Sequence, residues 1–144
     1  MQWAEFQDTA DRLAQGTAEG DWRSAASRAY YAVFHFGREL LHSYGLDIGR
    51  GGQAHFNLYT GLWNCGFPGV AAVARRIDDP RIQRTLADYE LARPLLQPDA
   101  VYAVREARAI VTDLRSLLSR LSSAQVVDGA RQHLLAIGRL GKKP

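Results

Sequence analysis

Cysteine is almost missing from this chain. Its 144 residues include one, Cys65, which excludes an intrachain disulfide and leaves too few thiolates for a cysteine-based zinc site. Lysine is nearly as scarce: of 18 basic residues only Lys142 and Lys143 are lysines, and the rest are arginines. No apolar run approaches the length of a membrane span. The opening residues, Met1-Gln2-Trp3-Ala4-Glu5, lack the basic and apolar regions of a signal peptide. No stretch alternates polar and apolar residues convincingly with period two, so a sheet is not expected. Together these absences lead to the expectation of a soluble helical protein in the cytoplasm, with no membrane partner.

What is present is ordinary in bulk. A hydrophobic share of 47% with 23% charged residues is that of a globular domain, and the length suffices for a real core. The net charge of +3 is mild. Arginine is the better bidentate ligand for phosphate, but genome composition produces the same bias, so charge alone decides nothing.

Helical periodicity runs through most of the chain. A first helix is expected from Trp3 to Thr17, with Trp3, Phe6, Ala10, Leu13 and Ala14 as its apolar stripe. Gly20 breaks it, and Asp21 is placed to cap a second helix reaching Tyr44. Four glycines between Gly45 and Gly52 mark a loop. Further helices are expected over Gln53–Trp63, Val70–Ile77, Arg81–Arg93, Asp99–Leu121 and Ala124–Ile137. The fold class is therefore all-α, a bundle of about five or six helices with two long ones as its spine. Residues 1–122 make the main helical domain. Residues 123–144 form a C-terminal helix and basic tail, packed on that domain or extending from it.

The second helix carries the chemistry. Arg28 and His35 stand seven positions apart, which returns to nearly the same helix face about 10 Å along the axis. One group is permanently cationic and the other titrates near neutrality, a pair suited to phosphate. Ser24, Tyr31, Glu39 and His42 fall within about 60° of Arg28 on the wheel. Trp22, Ala26, Tyr30, Val33, Phe34, Gly37, Leu40 and Leu41 collect on the opposite, core side. The polar stripe points away from that core, as any solvated helix face does. Tyr31, with small residues at Ala25, Ala29 and Ala32, also suits close approach of a partner helix such as the same helix of a second copy.

The run Ser27-Arg28-Ala29-Tyr30-Tyr31-Ala32-Val33-Phe34-His35, followed by Glu39-Leu40-Leu41, resembles the HEPN superfamily. It is most similar to the stand-alone prokaryotic branch with an Arg-Ala-Tyr-Tyr-Ala-x-Phe-His signature. Ala54-His55-Phe56 resembles that branch's histidine-containing third helix, and Arg84-Thr85-Leu86-Ala87-Asp88-Tyr89-Glu90 its Arg-x-x-Ala-Asp-Tyr segment. The resemblance covers Trp3 to Leu121.

It implies an up-and-down helical bundle forming a two-fold homodimer, with a metal-independent endoribonuclease site built from Arg28 and His35 at the interface. His35 would be the general base on a ribose 2′-hydroxyl, and Arg28 would hold the scissile phosphate. The products would be a 2′,3′-cyclic phosphate and a free 5′-hydroxyl. Tyr31, Ser24 and Ser27 would be substrate-binding residues, with His55 a further one. A toxin–antitoxin or other defence system is the implied setting, with a nucleotidyltransferase antitoxin as a further partner. Some toxin members carry, two positions after the histidine, a tyrosine that such a partner modifies. Here that position is Gly37, so that regulation does not carry over. The alternative is a non-catalytic HEPN module that binds a nucleotide, RNA or the nucleotidyltransferase, or a helical adaptor whose stripe only builds the dimer.

His35, His42 and His55 make no recognisable metal pattern, so neither a metal nor a cofactor is expected. Arg84, Asp88 and Tyr89 read as a structural polar network orienting helices. Arg131, His133, Arg139, Lys142 and Lys143 could track an RNA backbone or simply be solvated.

Overall fold

The computed structural model describes residues 1–140. Lys142 and Lys143 of the basic tail lie outside the described residues. The fold is all-α, with no strand among the described residues, and comprises α1 (Trp3–Ala14), α2 (Glu19–Ser43), α3 (Gly51–Trp63), α4 (Pro68–Arg76), α5 (Asp78–Tyr89), α6 (Gln97–Leu118) and α7 (Ser123–Ala136). None of these helices is long and apolar enough to cross a membrane.

The helices begin and end where local chemistry allows. Gln2 and Glu5 form a reciprocal cap at the start of α1, with the Gln2 N–H donating to Glu5 Oε2 at 2.6 Å. Asp21 serves α2 from inside its first turn: its carboxylate accepts the Ala18 N–H at 3.4 Å, so Ala18, not Asp21, stands at the boundary. Pro68, Pro80 and Pro98 each fall in the first turn of α4, α5 and α6, where no intrahelical N–H is needed. The expected starts of those helices therefore move a few residues earlier. At the start of α7, Ser122 accepts the Gln125 N–H at 3.3 Å.

The chain resolves into two compact units. The first holds Met1–Phe36 and Ile77–Thr112; the second holds Gly37–Arg76 and the chain from Asp113 onward. The long helices α2 and α6 each contribute their first part to one unit and their last part to the other.

In the first unit α1, the early part of α2, α5 and the early part of α6 bury Ala10, Ala14, Ala25, Ala26, Ala29, Tyr30, Val33, Phe34, Ala87, Ala103, Ala107 and Ile110. The prevalence of alanine lets helix backbones approach closely. Ala25, Ala29 and Ala32 are 0% exposed. The small residues expected to admit a second copy are thus already covered by this chain, because α2 is packed on more than one side. Burial drives the Tyr30 hydroxyl far above the ordinary tyrosine range, despite the nearby Arg84 cation.

Arg23 binds the connector between α5 and α6. Its side chain is 12% exposed, yet its donors are spent on Glu19 at 2.8 Å, on the carbonyls of Leu86 at 3.3 Å, Ala87 at 2.9 Å and Glu90 at 3.4 Å, and on that of Arg93. The Arg23 guanidinium, followed by the Leu95 N–H, holds the Glu19 carboxyl below the usual range. Across the same unit Gln97 donates to the Ala14 carbonyl at 3.0 Å, and Arg108 pairs with Asp11.

The second unit is organised on α3, against which both α4 and α7 pack. The last helix is therefore an integral part of this unit. Leu58, Leu62, Val70, Ala74, Val126, Val127, Ala130 and Leu134 form its interior. Asn57, 0% exposed, donates to the Ile48 carbonyl at 3.0 Å and accepts from Arg139 at 3.1 Å. Arg139 also lies over Phe56, 4.3 Å from its centroid, while Arg131 donates to the Tyr44 carbonyl at 2.8 Å and His133 Nε2 lies 3.2 Å from the Thr60 hydroxyl. These members of the expected electrostatic track are thus engaged in intrachain contacts.

Gly129 is where α7 comes closest to the backbone of the α3–α4 turn. A Cβ there would run into the Cys65 carbonyl. Cys65 is 3% exposed, and burial pushes its thiol up from the ordinary range. In a helix, glycine to alanine normally stabilises by about 1 kcal/mol; here the sign should reverse. Gly129→Ala is expected to lower stability by about 1–3 kcal/mol through overpacking, and to speed alkylation of Cys65 in native buffer. Gly20→Ala, with open space around its Cβ, should be neutral or mildly stabilising. Urea denaturation and timed iodoacetamide labelling check both.

Candidate functional site

In the first unit, the face of α2 carrying Arg28 and His35 is not a bare solvated stripe. Arg28, Tyr31 and His35 are all half-buried, because Phe6 of α1 lies among them. The His35 ring stacks on Phe6 with centroids 4.9 Å apart and planes 25° apart. The Arg28 guanidinium stands 5.6 Å from the Phe6 centroid and 5.5 Å from that of Tyr31. Tyr31 closes the group, 6.3 Å from Phe6 and 6.0 Å from His35. The helical spacing that puts Arg28, Tyr31 and His35 on one face thus becomes a cluster through one phenylalanine of another helix.

The adjoining rings extend the cluster. Phe34 meets His35 edge-on at 5.2 Å, and Trp3 meets Phe36 edge-on at 5.2 Å. Such edge and offset contacts contribute about 0.5–1.5 kcal/mol beyond burial. They also restrict ring rotation, so His35 is presented with a defined plane.

Half-buried Arg28 is held differently from Arg23 and Arg81 of the same unit, each of which hydrogen-bonds a carboxylate. Among the described residues no carboxylate pairs with it and no acceptor takes a hydrogen bond from it; its contacts are the rings of Phe6 and Tyr31. A cation on an aromatic face gains about 0.5–2 kcal/mol while its N–H edge stays available to an anion.

Arg84 of α5 also reaches this place. Its guanidinium lies 5.6 Å from the Tyr30 centroid and 5.7 Å from that of Tyr31. The Arg84–Asp88 approach is 3.9 Å, an ion pair too long for a hydrogen bond. The Asp88 carboxylate accepts the Ser27 hydroxyl at 3.2 Å. The expected Arg84–Asp88 network therefore exists and includes Ser27. Tyr89, 72% exposed, stands apart from it.

The remaining candidates are placed as follows. Ser24 is exposed, one turn before Arg28. Ser27 is buried, with its hydroxyl turned to Asp88. His42 is exposed at the end of α2, and His55 is half-buried on α3; both belong to the second unit. Gly37 is buried there, and a Cβ on it would come within 2.6 Å of Leu58 Cδ1, so close packing rather than a tyrosine occupies that position. Among the described residues no group of three or more His, Cys, Asp or Glu side chains could hold a metal ion.

Sequence reasoning missed the part played by Phe6, which it placed only in an apolar stripe. The signal was available in the pair Trp3 and Phe6, the two large aromatics on the opening turn of a helix whose stripe continues with Ala10, Leu13 and Ala14. No protein-family model, no curated protein and no solved structure matches this chain.

Phe6→Leu keeps apolar bulk but removes the ring. The ring-current contribution to the His35 imidazole resonances should vanish, and stability should fall by about 0.5–1.5 kcal/mol. Unchanged His35 resonances in a folded Phe6→Leu variant would show that the stack is not populated.

Proposed function

We propose that this protein is a HEPN-type, metal-independent endoribonuclease, working as a homodimer in which Arg28 and His35 of two copies form a composite site. One observation carries the reading: a half-buried arginine with no anionic partner among the described residues shares an aromatic cluster with a histidine. The HEPN resemblance of the α2 sequence supports it, and a toxin or defence role follows from the same resemblance.

The chemistry runs without an external cofactor. His35, or its symmetry mate, accepts the 2′-hydroxyl proton as the 2′-oxygen attacks the adjacent phosphorus. Arg28 donates to the non-bridging oxygens as charge builds on them. The bond to the 5′-oxygen breaks, and that oxygen takes a proton from the imidazolium or from water. A cyclic 2′,3′-phosphate and a 5′-hydroxyl remain. Tyr31, in contact with both Arg28 and His35, is the substrate-binding candidate beside them. Ser24, exposed beside Arg28, is the nearer of the two serines to solvent. His55 remains a substrate-side candidate, and a nucleotidyltransferase a candidate partner.

Purified protein should cut single-stranded RNA in the presence of EDTA. His35→Ala and Arg28→Ala should each lower the rate by at least about 100-fold, with helicity and dimer mass unchanged. The new 5′ ends should accept phosphate from a polynucleotide kinase without prior dephosphorylation. Cleavage that survives both substitutions removes the site from consideration. RNA bound but recovered intact favours the non-catalytic binding module instead.

A further inference from the structure

Two arginines of the first unit are buried to nearly the same degree and treated in opposite ways. Arg23, 12% exposed, donates to one carboxylate and four carbonyls. Arg84 is 16% exposed, and no hydrogen bond leaves its guanidinium among the described residues. Its Nε is fully buried and has no acceptor there. A guanidinium carries five N–H donors and cannot shed its charge. Leaving the Nε–H buried and unmatched costs about 1–3 kcal/mol, and more because the group is charged. Asp88 offsets part of the charge through an ion pair but does not supply the match: its Oδ2, which accepts the Ser27 hydroxyl, stands 3.9 Å from the nearest Arg84 nitrogen, beyond hydrogen-bond reach.

What does surround Arg84 is aromatic. It shares Tyr31 with Arg28: both guanidiniums stand within 6 Å of that one ring centroid. Two permanent cations at one ring repel; Arg28 has no carboxylate partner among the described residues, and Arg84 has only the 3.9 Å approach to Asp88. An oxyanion reaching this ring would relieve the repulsion and take up donors of both. A planar guanidinium matches two oxygens of one phosphate, and successive phosphates of a single strand offer such oxygens in series.

The geometry points to Arg84 as a second phosphate-binding residue, which with Arg28 and Tyr31 grips consecutive phosphodiesters of single-stranded RNA. Arg28 takes the phosphate nearest His35, and Arg84 takes an adjoining one on the other guanidinium of the shared ring. The assignment rests on the reading of Arg28, Tyr31 and His35 as the place where RNA is held, but not on whether RNA is cut there.

Binding is therefore the measurement. A fluorescein-labelled 2′-O-methyl oligoribonucleotide, which cannot form the cyclic phosphate, is titrated by anisotropy from 50 to 300 mM salt. Each phosphate contact to a single strand contributes about 0.7 to the slope of log K against log salt. Arg84→Gln should weaken binding several-fold and lower the slope by about 0.7, whereas Arg84→Lys should keep the slope. Circular dichroism on each variant verifies helicity. If Arg84→Gln misfolds, Arg84→Lys carries the test through its retained slope, and a slope lost in a folded Arg84→Lys overturns the assignment. Equal affinity and slope for wild type and a folded Arg84→Gln overturn it while leaving Arg28 and His35 untouched. Absence of oligonucleotide binding by the wild type overturns it together with the RNA reading. Binding with the predicted slopes but no cleavage of ordinary RNA upholds Arg84 and rejects the nuclease alone.

Discussion

A guanidinium cannot discharge itself by giving up a proton, so each arginine drawn below the surface must be compensated where it lies. The first unit contains three answers to that constraint, and its architecture follows from them. Arg23 is compensated by carbonyls of α5 and the connector behind it, which ties that irregular segment to α2. Arg28 is compensated in part by the faces of Phe6 and Tyr31. Arg84 rests on Tyr30 and Tyr31 with a long ion pair to Asp88 and, among the described residues, no acceptor for its buried Nε. The first solution holds structure together; the other two leave positive charge positioned and available.

The aromatic floor under those cations has a second consequence. Phe6 presses on His35 and Arg28 at once, so docking of α1 sets the plane of one group and the place of the other. Rings fixed by neighbouring rings lose little further freedom when a ligand arrives, which is the advantage of a preorganised site. A short N-terminal helix thereby acts on chemistry carried by another element.

The all-α character and most helix cores were legible in the sequence, because periodicity of apolar residues survives whatever the helices pack against. Boundaries were less so. Pro68, Pro80 and Pro98 look like breaks when read as residues hostile to helices, yet each lies in a first turn that has no N–H to lose. Asp21 looks like a cap and is one, but from three residues inside its helix. The alliance of Arg28, Tyr31 and His35 on one face was readable from spacing alone. What spacing could not say is that the face is roofed by Phe6, or that Ala25, Ala29 and Ala32 are covered within the same chain. A helical wheel knows one helix, and α2 is covered on more than one side. Arg84 was harder still. Its i,i+4 relation to Asp88 suggests a satisfied ion pair, and only the 3.9 Å separation and the orphaned Nε reveal that the pair does not consume it.

The two cations at Tyr31 bear on how phosphoryl chemistry could proceed with side chains alone. In such reactions the gain comes from fixed positive charge facing oxygens that become more negative on the way to the transition state. Two arginines at one ring offer two guanidiniums already in place before substrate binds, that of Arg84 partly offset by the Asp88 carboxylate 3.9 Å away. Their mutual repulsion falls when an anion lies between them. The binding anion therefore relieves an existing tension and does not have to create order. Beside them Tyr30 stays protonated because burial disfavours its anion, so no phenolate offsets the positive charge. On the proposed reading, the cost of keeping the Arg84 Nε buried without an acceptor among the described residues would be the counterpart of a site that takes up an anion.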